Sequence, residues 1–353
     1  MSSNEKKKDK KKRLSSLLLM LFLTIILLTT STYAWFTSNR NVQIANIDVN
    51  VSAADGIQIS TDAENWKTVI SNADILKGYD GDTNMWSGTM SPVSTVKVPN
   101  AAGKLDMYLG EVKSDENDTT EAGRFELTAT SLAANETHSN STEGNRHYIV
   151  FDVFLKLDKA SDVYLQIGSS VSTKDDDKGI KNAARIAFLK GGNAASTTAV
   201  ASLRQLGYAS GADKITIIEP NADVHTSAGI VQAQSYYTKY SGVSSIQASG
   251  SGTISYDGVK TNITAANNIP LINTNATDNP NFFASVTTVA QPVSFRTDTA
   301  GNNYLLFPML EAGVTKVRIY LWVEGQDVDC ENAASGDDIT FIIKLSLDST
   351  TGV

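Results

Sequence analysis

The chain has 353 residues and a formal charge of −8, and its basic residues crowd the start: residues 35–353 hold 23 basic and 36 acidic side chains, a net charge of −13. That balance excludes nucleic acid and anionic membrane surfaces as partners of this part, because both need a positive footprint. The single cysteine, Cys330, excludes an intrachain disulfide, so stability has to come from a buried core.

The first element is a leader. Lys6, Lys7, Lys8, Lys10, Lys11, Lys12 and Arg13 precede an uncharged run from Leu14 to Ala34 that is dense in Leu and Ile. A basic start, an apolar middle and small residues at a junction form the pattern of a secretory signal. Thr32 and Ala34 stand three before and one before a cut ahead of Trp35, which places cleavage between Ala34 and Trp35. An uncut run of about 21 residues would instead cross a bilayer as a signal-anchor helix. Both alternatives keep the lysines inside and export everything after Asn39. The chain therefore divides into 1–34, signal peptide or anchor, and 35–353, a secreted domain. Export with so few cysteines suits a bacterial envelope. There is no cysteine for lipid attachment, no wall-sorting motif at Asp348–Val353, and no type IV pilin pattern around the apolar run.

Cleavage would leave an end that begins Trp35-Phe36, with Val42 and Ile44 close behind. Chain ends are usually polar and frayed. Large apolar side chains at an end gain on the order of 1.5–3 kcal/mol each from burial. They belong either in an interfacial aromatic belt beside an uncut anchor or in a protein groove, the chain's own or a neighbour's.

Beyond Asn39 the pattern is β. Val42 and Ile44 alternate, then the parity shifts to Ile47, Val49 and Val51, marking a bulge or a strand boundary. Gly56–Ser60, a polar turn and Trp66 predict a hairpin. Residues 79–123 are mostly Gly, Asp, Asn, Ser and Thr, with one alternation near Val93–Val98, and a strand follows at Phe125–Ala129. Ile149, Phe151, Val153, Leu155 and Leu157 alternate with Tyr148, Asp152 and Lys156. Val163, Leu165 and Ile167 repeat the pattern after Asp158–Ser161, which predicts an antiparallel hairpin. A strand is expected from Ala184, a helix over Ala199–Leu206 and a short strand at Ile215–Glu219. The weakly patterned residues 221–303 read as an inserted surface excursion. Val317–Val323 and Phe341–Leu347 close the series with regular alternation.

About ten such strands predict an all-β fold: a two-sheet antiparallel sandwich with long polar insertions. Its outer faces carry Tyr148, Phe154, Tyr164, Tyr320 and Trp322, which either meet solvent or lie under a loop or a neighbouring subunit.

Catalytic chemistry is sparse. His138, His147 and His225 show no metal-binding spacing, and the acids around Cys330 oppose a thiolate. Acidic turns at Asp80–Asp82, Asp115–Glu121, Asp175–Asp177 and Asp327–Glu331 have the oxygen ligands that Ca²⁺ needs, but none has the spacing of a twelve-residue calcium loop. No catalytic, cofactor or metal residue is assigned, and no cofactor is expected.

Thr32-Tyr-Ala-Trp-Phe-Thr-Ser-Asn39, set between the leader and Val42–Val51, resembles the N-terminus of the camelysin/TasA family of secreted biofilm-fibre proteins of Gram-positive bacteria. Tyr320-Leu-Trp-Val-Glu-Gly-Gln-Asp-Val-Asp-Cys330 is similar to the C-terminal strand and turn of relatives that carry the same leader. The resemblance implies a jelly-roll-like sandwich and processing by a SipW-type signal peptidase. It also implies assembly with copies of itself or related matrix subunits through a donated strand, here Trp35, Phe36, Val42 and Ile44. The expected function is a structural protein of the cell surface or biofilm matrix. The alternatives are a surface adhesin that grips a glycan or protein, and a metal-dependent hydrolase of the kind described for some camelysin relatives, for which the chain lacks a zinc motif.

Overall fold

In the computed structural model the described residues are 47–79, 90–95, 99–113, 124–127, 132, 136, 147–166, 168–173, 180–208, 214–218, 303–324 and 338–349. The leader, the 34/35 junction, the excursion 221–303 except its last residue, His138, His225, Cys330 and all four acidic turns lie outside them.

The described chain is almost wholly β and forms two main sheets, as an all-β two-sheet sandwich requires. Sheet A contains β1 (Ile47–Ala53), β3 (Val69–Ile70), β8 (Ser161–Leu165), β9 (Ser170–Thr173), β12 (Tyr304–Leu310) and β14 (Ile339–Ser346). Its order is β12-β8-β14-β1-β3, with β9 on the same side of β14 as β8. Sheet B runs β11-β10-β13-β7-β2, from β2 (Gln58–Ser60), β7 (Ile149–Leu157), β10 (Ala184–Ala194), β11 (Ile215–Ile218) and β13 (Gly313–Val323). A third, small sheet joins β4 (Val93–Thr95), β5 (Met107–Lys113) and β6 (Arg124–Leu127). Two short helices, α1 (Asn72–Lys77) and α2 (Val200–Arg204), connect the strands.

The main core lies between sheets A and B. Ile149, Phe151, Val153 and Leu155 of β7, with Val317, Ile319 and Leu321 of β13, meet Phe341, Ile343 and Leu345 of β14 and Val51 of β1. These are the inward sets predicted by alternation. Phe188 and Phe307 meet edge to face across the core at 6.5 Å, a favoured aromatic geometry.

Three topological expectations change. Strands β7 and β8 do not form a hairpin: β7 pairs with β13 and β2 in sheet B, and β8 with β12 and β14 in sheet A. The connection at 158–160 carries the chain across the sandwich instead. Period-two alternation fixes which face is buried, but not which sheet a strand joins. The sandwich is also not purely antiparallel, because β1 runs parallel to β14 from Ile47↔Ile339 to Ala53↔Leu345. The predicted Gly56–Trp66 hairpin reduces to one bridge, Ile59↔Lys67, after which the chain moves on to sheet A as β3.

Bulges shape the strands around this core. Leu165 pairs with Leu345 and Ser170 with Ile342, so the chain takes five steps from β8 to β9 against three on β14. Ser169 repairs the ladder there: its Oγ accepts the Lys344 N–H at 2.9 Å. In β10 the register slips between Lys190 and Asn193, at Gly191-Gly192.

Candidate functional site

Two places in the fold combine position with chemistry: an incompletely paired margin of the sandwich, and a buried polar layer outside sheet B.

The margin lies where β2 and β3 end the two sheets. Strand β3 pairs with β1 only at Val51 and Ser52. Strand β2 covers β7 only at Phe154, Leu155 and Lys156. Among the described residues, the opposite edge of β1 from Ile47 to Asn50 therefore has no strand beside it, nor does that of β7 from Ile149 to Val153. Both short strands cap the C-terminal halves of β1 and β7, so the two unpaired stretches share one end of the sandwich. A row of edge N–H and C=O groups is a template for an added strand. Ile47 also follows directly on the segment singled out for donation. Trp35, Phe36, Val42 and Ile44 themselves, with Ala34, lie outside the described residues.

The second place is the outer face of sheet B, where the predicted aromatics split. Tyr148, Phe154, Tyr320 and Trp322 are fully buried, and Tyr164, on sheet A, is half-buried. Their cover is the chain itself. Val93, Leu105 and Met107, around the β4–β5 connection, pack on Tyr148, Val150, Ala187, Tyr320 and Trp322 as a second apolar cluster. A parallel bridge, Val93↔Glu324, fastens this cover to the end of β13. Sheet B is thus buried on both sides, and every residue of β13 is buried.

Charges sit inside this layer. Asp152 and Arg318 face each other in register across β7 and β13. Arg318 Nε donates to Asp152 Oδ1 at 2.8 Å and its NH2 to Oδ2 at 3.2 Å. Lys316 Nζ lies 3.2 Å from Asp152 Oδ2 and donates to the Arg204 carbonyl at 2.9 Å. Tyr208 donates its hydroxyl to Asp152 Oδ1 at 2.8 Å, and its ring underlies the Arg318 guanidinium at 4.4 Å. Burial alone would raise the Asp152 carboxyl, but Arg318, Lys316 and Tyr208 outweigh it and hold the group below the usual carboxylate range. The Arg318 guanidinium is correspondingly pushed well above its ordinary value by Asp152. Sequence alternation placed Asp152 and Arg318 on outer faces, and matching acid and base at mirrored positions of two regular strands was the available signal for pairing them.

A third group sits beside this cluster. Glu136, also buried, accepts the Tyr148 hydroxyl at 2.7 Å, and Tyr148 stacks on Tyr320 at 6.3 Å. Nothing local in the sequence marked Glu136. His147 pairs its Nδ1 with the Ser91 hydroxyl, tying the entries of β4 and β7 together. Burial lowers its pKa.

A polar depression near α1 is lined by Thr61, Asp62, Asn65, Lys67, Asp74 and Lys77. Its carboxylates are already engaged: Asp62 accepts the Glu64 and Asn65 amides at 2.9 and 2.7 Å, and Asp74 pairs with Lys67. Burial raises Asp62, yet the hydrogen bonds from Asn65, Glu64 and Ser60 bring it down to about 2. It is a structural turn. Among the described residues no three His, Cys, Asp or Glu side chains gather to hold a metal ion. No protein-family model, curated protein or solved structure matches this chain.

Proposed function

We propose that this is an exported structural protein of a Gram-positive cell surface or biofilm matrix, non-enzymatic and without a cofactor, which polymerises by strand donation. Residues 1–34 direct export as an apolar helix, cut by a SipW-type signal peptidase between Ala34 and Trp35 or retained as an anchor. The domain 35–353 then forms a jelly-roll-like sandwich, with 221–303 as an inserted excursion. Its partners are copies of itself or related subunits, not nucleic acid, and it meets the membrane only through an uncut leader.

The observation that carries this reading is the margin at Ile47–Asn50 and Ile149–Val153, which has no strand beside it among the described residues. An extended segment entering there adds backbone hydrogen bonds to a sheet edge, and alternate side chains fill the space between the layers. Trp35, Phe36, Val42 and Ile44 have the required apolar character. Three Cα steps separate Ile44 from Ile47, a reach of at most about 11 Å. The donated strand therefore leaves its own subunit at the start of β1 and enters a neighbour in immediate contact. The competing adhesin reading loses its aromatic face, since Tyr148, Tyr320 and Trp322 are covered from within.

Deleting residues 35–43 from the secreted form tests the mechanism. The expected product is a folded monomer without filaments by electron microscopy, whereas filaments of normal length would refute donation. N-terminal sequencing of secreted material tests the processing step and is expected to begin at Trp35.

A further inference from the structure

Glu136 is a carboxyl group at the interface between the cover and sheet B, only 3% exposed. Its oxygens are served unequally. Oε1 accepts the Tyr148 hydroxyl at 2.7 Å, whereas Oε2 accepts no hydrogen bond among the described residues and lies 3.7 Å from Lys104 Nζ. A buried carboxylate is costly unless both oxygens are satisfied. The groups around it come from three places: Tyr148 just before β7, Tyr320 on β13, and Lys104 on the β4–β5 connection. Arg318 and Asp152 act on it from further away, and Asp106 acts on its partner Tyr148.

The same contacts hold the cover down. Lys104 Nζ donates to the Glu136 carbonyl at 3.3 Å, and the next residue, Leu105, donates its N–H to the Tyr320 hydroxyl at 3.1 Å. Leu105 and Met107 then seal the apolar cluster over Tyr148, Tyr320 and Trp322. A change of charge at Glu136 acts directly on this hinge-like connection.

We propose that Glu136 is a pH-responsive clasp: with its carboxyl protonated the cover closes on the aromatic face of sheet B, and loss of the proton loosens the Lys104–Leu105 connection. Burial pushes this carboxyl up to about 7, against the opposing pull of Tyr148, Arg318 and Lys104. A carboxyl raised in the closed state favours closure while it stays neutral. That advantage is full below about 4.5 and is lost as pH climbs towards about 7, by up to about tenfold in the closed-to-open ratio per pH unit. His147, lowered by burial, acts in the opposite direction, because charging it in acid favours opening. The two contributions are therefore separable by sign.

Hydrogen–deuterium exchange on the full chain between about pH 5 and about pH 8, each rate divided by the intrinsic amide rate, reads closure at the Leu105 amide. In the wild type, protection there is expected to fall at least about tenfold across that range. In Glu136→Gln, which keeps the shape of the neutral acid, it is expected to stay high and flat. Flat protection in the wild type, or an equal fall in both proteins, overturns the clasp. A second measurement needs no variant: carbon-13 titration of the Glu136 carboxyl is expected to show a midpoint near 7, and a midpoint near 4.5 overturns the proposal.

Discussion

Asp152 sets the electrostatics of the buried layer, because one carboxylate serves Arg318, Lys316 and Tyr208 at once. Removing it leaves two cations without their shared anion in a dry site. Asp152→Ala is therefore expected to cost about 3–5 kcal/mol, seen as a lower urea midpoint. Replacing Asp152, Lys316 and Arg318 together by apolar residues of similar volume is expected to recover most of that loss, since the desolvation cost disappears with the charges. The sign with pH follows from a carboxyl held low in the folded state. The stability it contributes is complete above the ordinary Asp value of 3.8 and drains away as pH falls through the lowered folded value. Acid unfolding below about pH 4 is expected to be steeper in the wild type than in Asp152→Asn, as far-UV circular dichroism would register. Glu136, with its pKa displaced upward, runs the other way and weakens the fold as pH rises towards about 7.

Strands β10 and β13 show how a local irregularity makes room for this layer. At the β10 bulge, a Cβ on Gly191 would come 2.8 Å from the Lys316 carbonyl oxygen and 2.9 Å from the Tyr208 ring. Tyr208 reaches Asp152 because nothing projects there. Gly191→Ala is expected to cost about 1–3 kcal/mol and to displace Tyr208, read as a lower thermal midpoint. Gly313, with φ +106 at the start of β13, is stricter: its Cβ would lie 2.3 Å from the Ala194 carbonyl oxygen, and the backbone conformation itself disfavours a side chain. Gly313→Ala is expected to exceed the Gly191 loss in the same assay. How legible each element was in the sequence follows the same logic. Strands β7, β13 and β14 keep strict alternation and their buried faces were evident, as was the strand character of Ala184–Leu189 and the helix near Val200. Strand β12 was missed because its register slips twice, at Leu306 and at Pro308-Met309, which destroys the period. Strand β5, Met107–Lys113, carries Gly110, Glu111 and Lys113 and reads as loop. The aromatic outer face was recognised but not its cover, because the residues that bury Tyr320 and Trp322 lie more than 200 positions upstream in a mostly polar stretch with only one short alternation. The margin left without a neighbouring strand among the described residues could not be read at all: it depends on where β2 and β3 stop, a property of neighbours and not of β1 or β7.

For the whole molecule, charge and connectivity matter most. A net −13 on residues 35–353 means that like subunits repel at long range. If copies associate through their margins, salt has to speed the approach, since the screening length contracts from about 30 Å at 0.01 M to about 8 Å at 0.15 M. Filament growth followed by light scattering is expected to show a shorter lag at the higher ionic strength. Connectivity has a separate effect on timing. In sheet A the final strand, β14, is the partner of β1, β8 and β9 alike, so the first described strand and the last lie side by side. Until residues 339–346 have been synthesised, β1 has two paired residues among those described, and the layer opposite sheet B lacks its central strand. On the proposed export route, a chain that threads through a membrane from its N-terminal end would deliver this keystone of sheet A last.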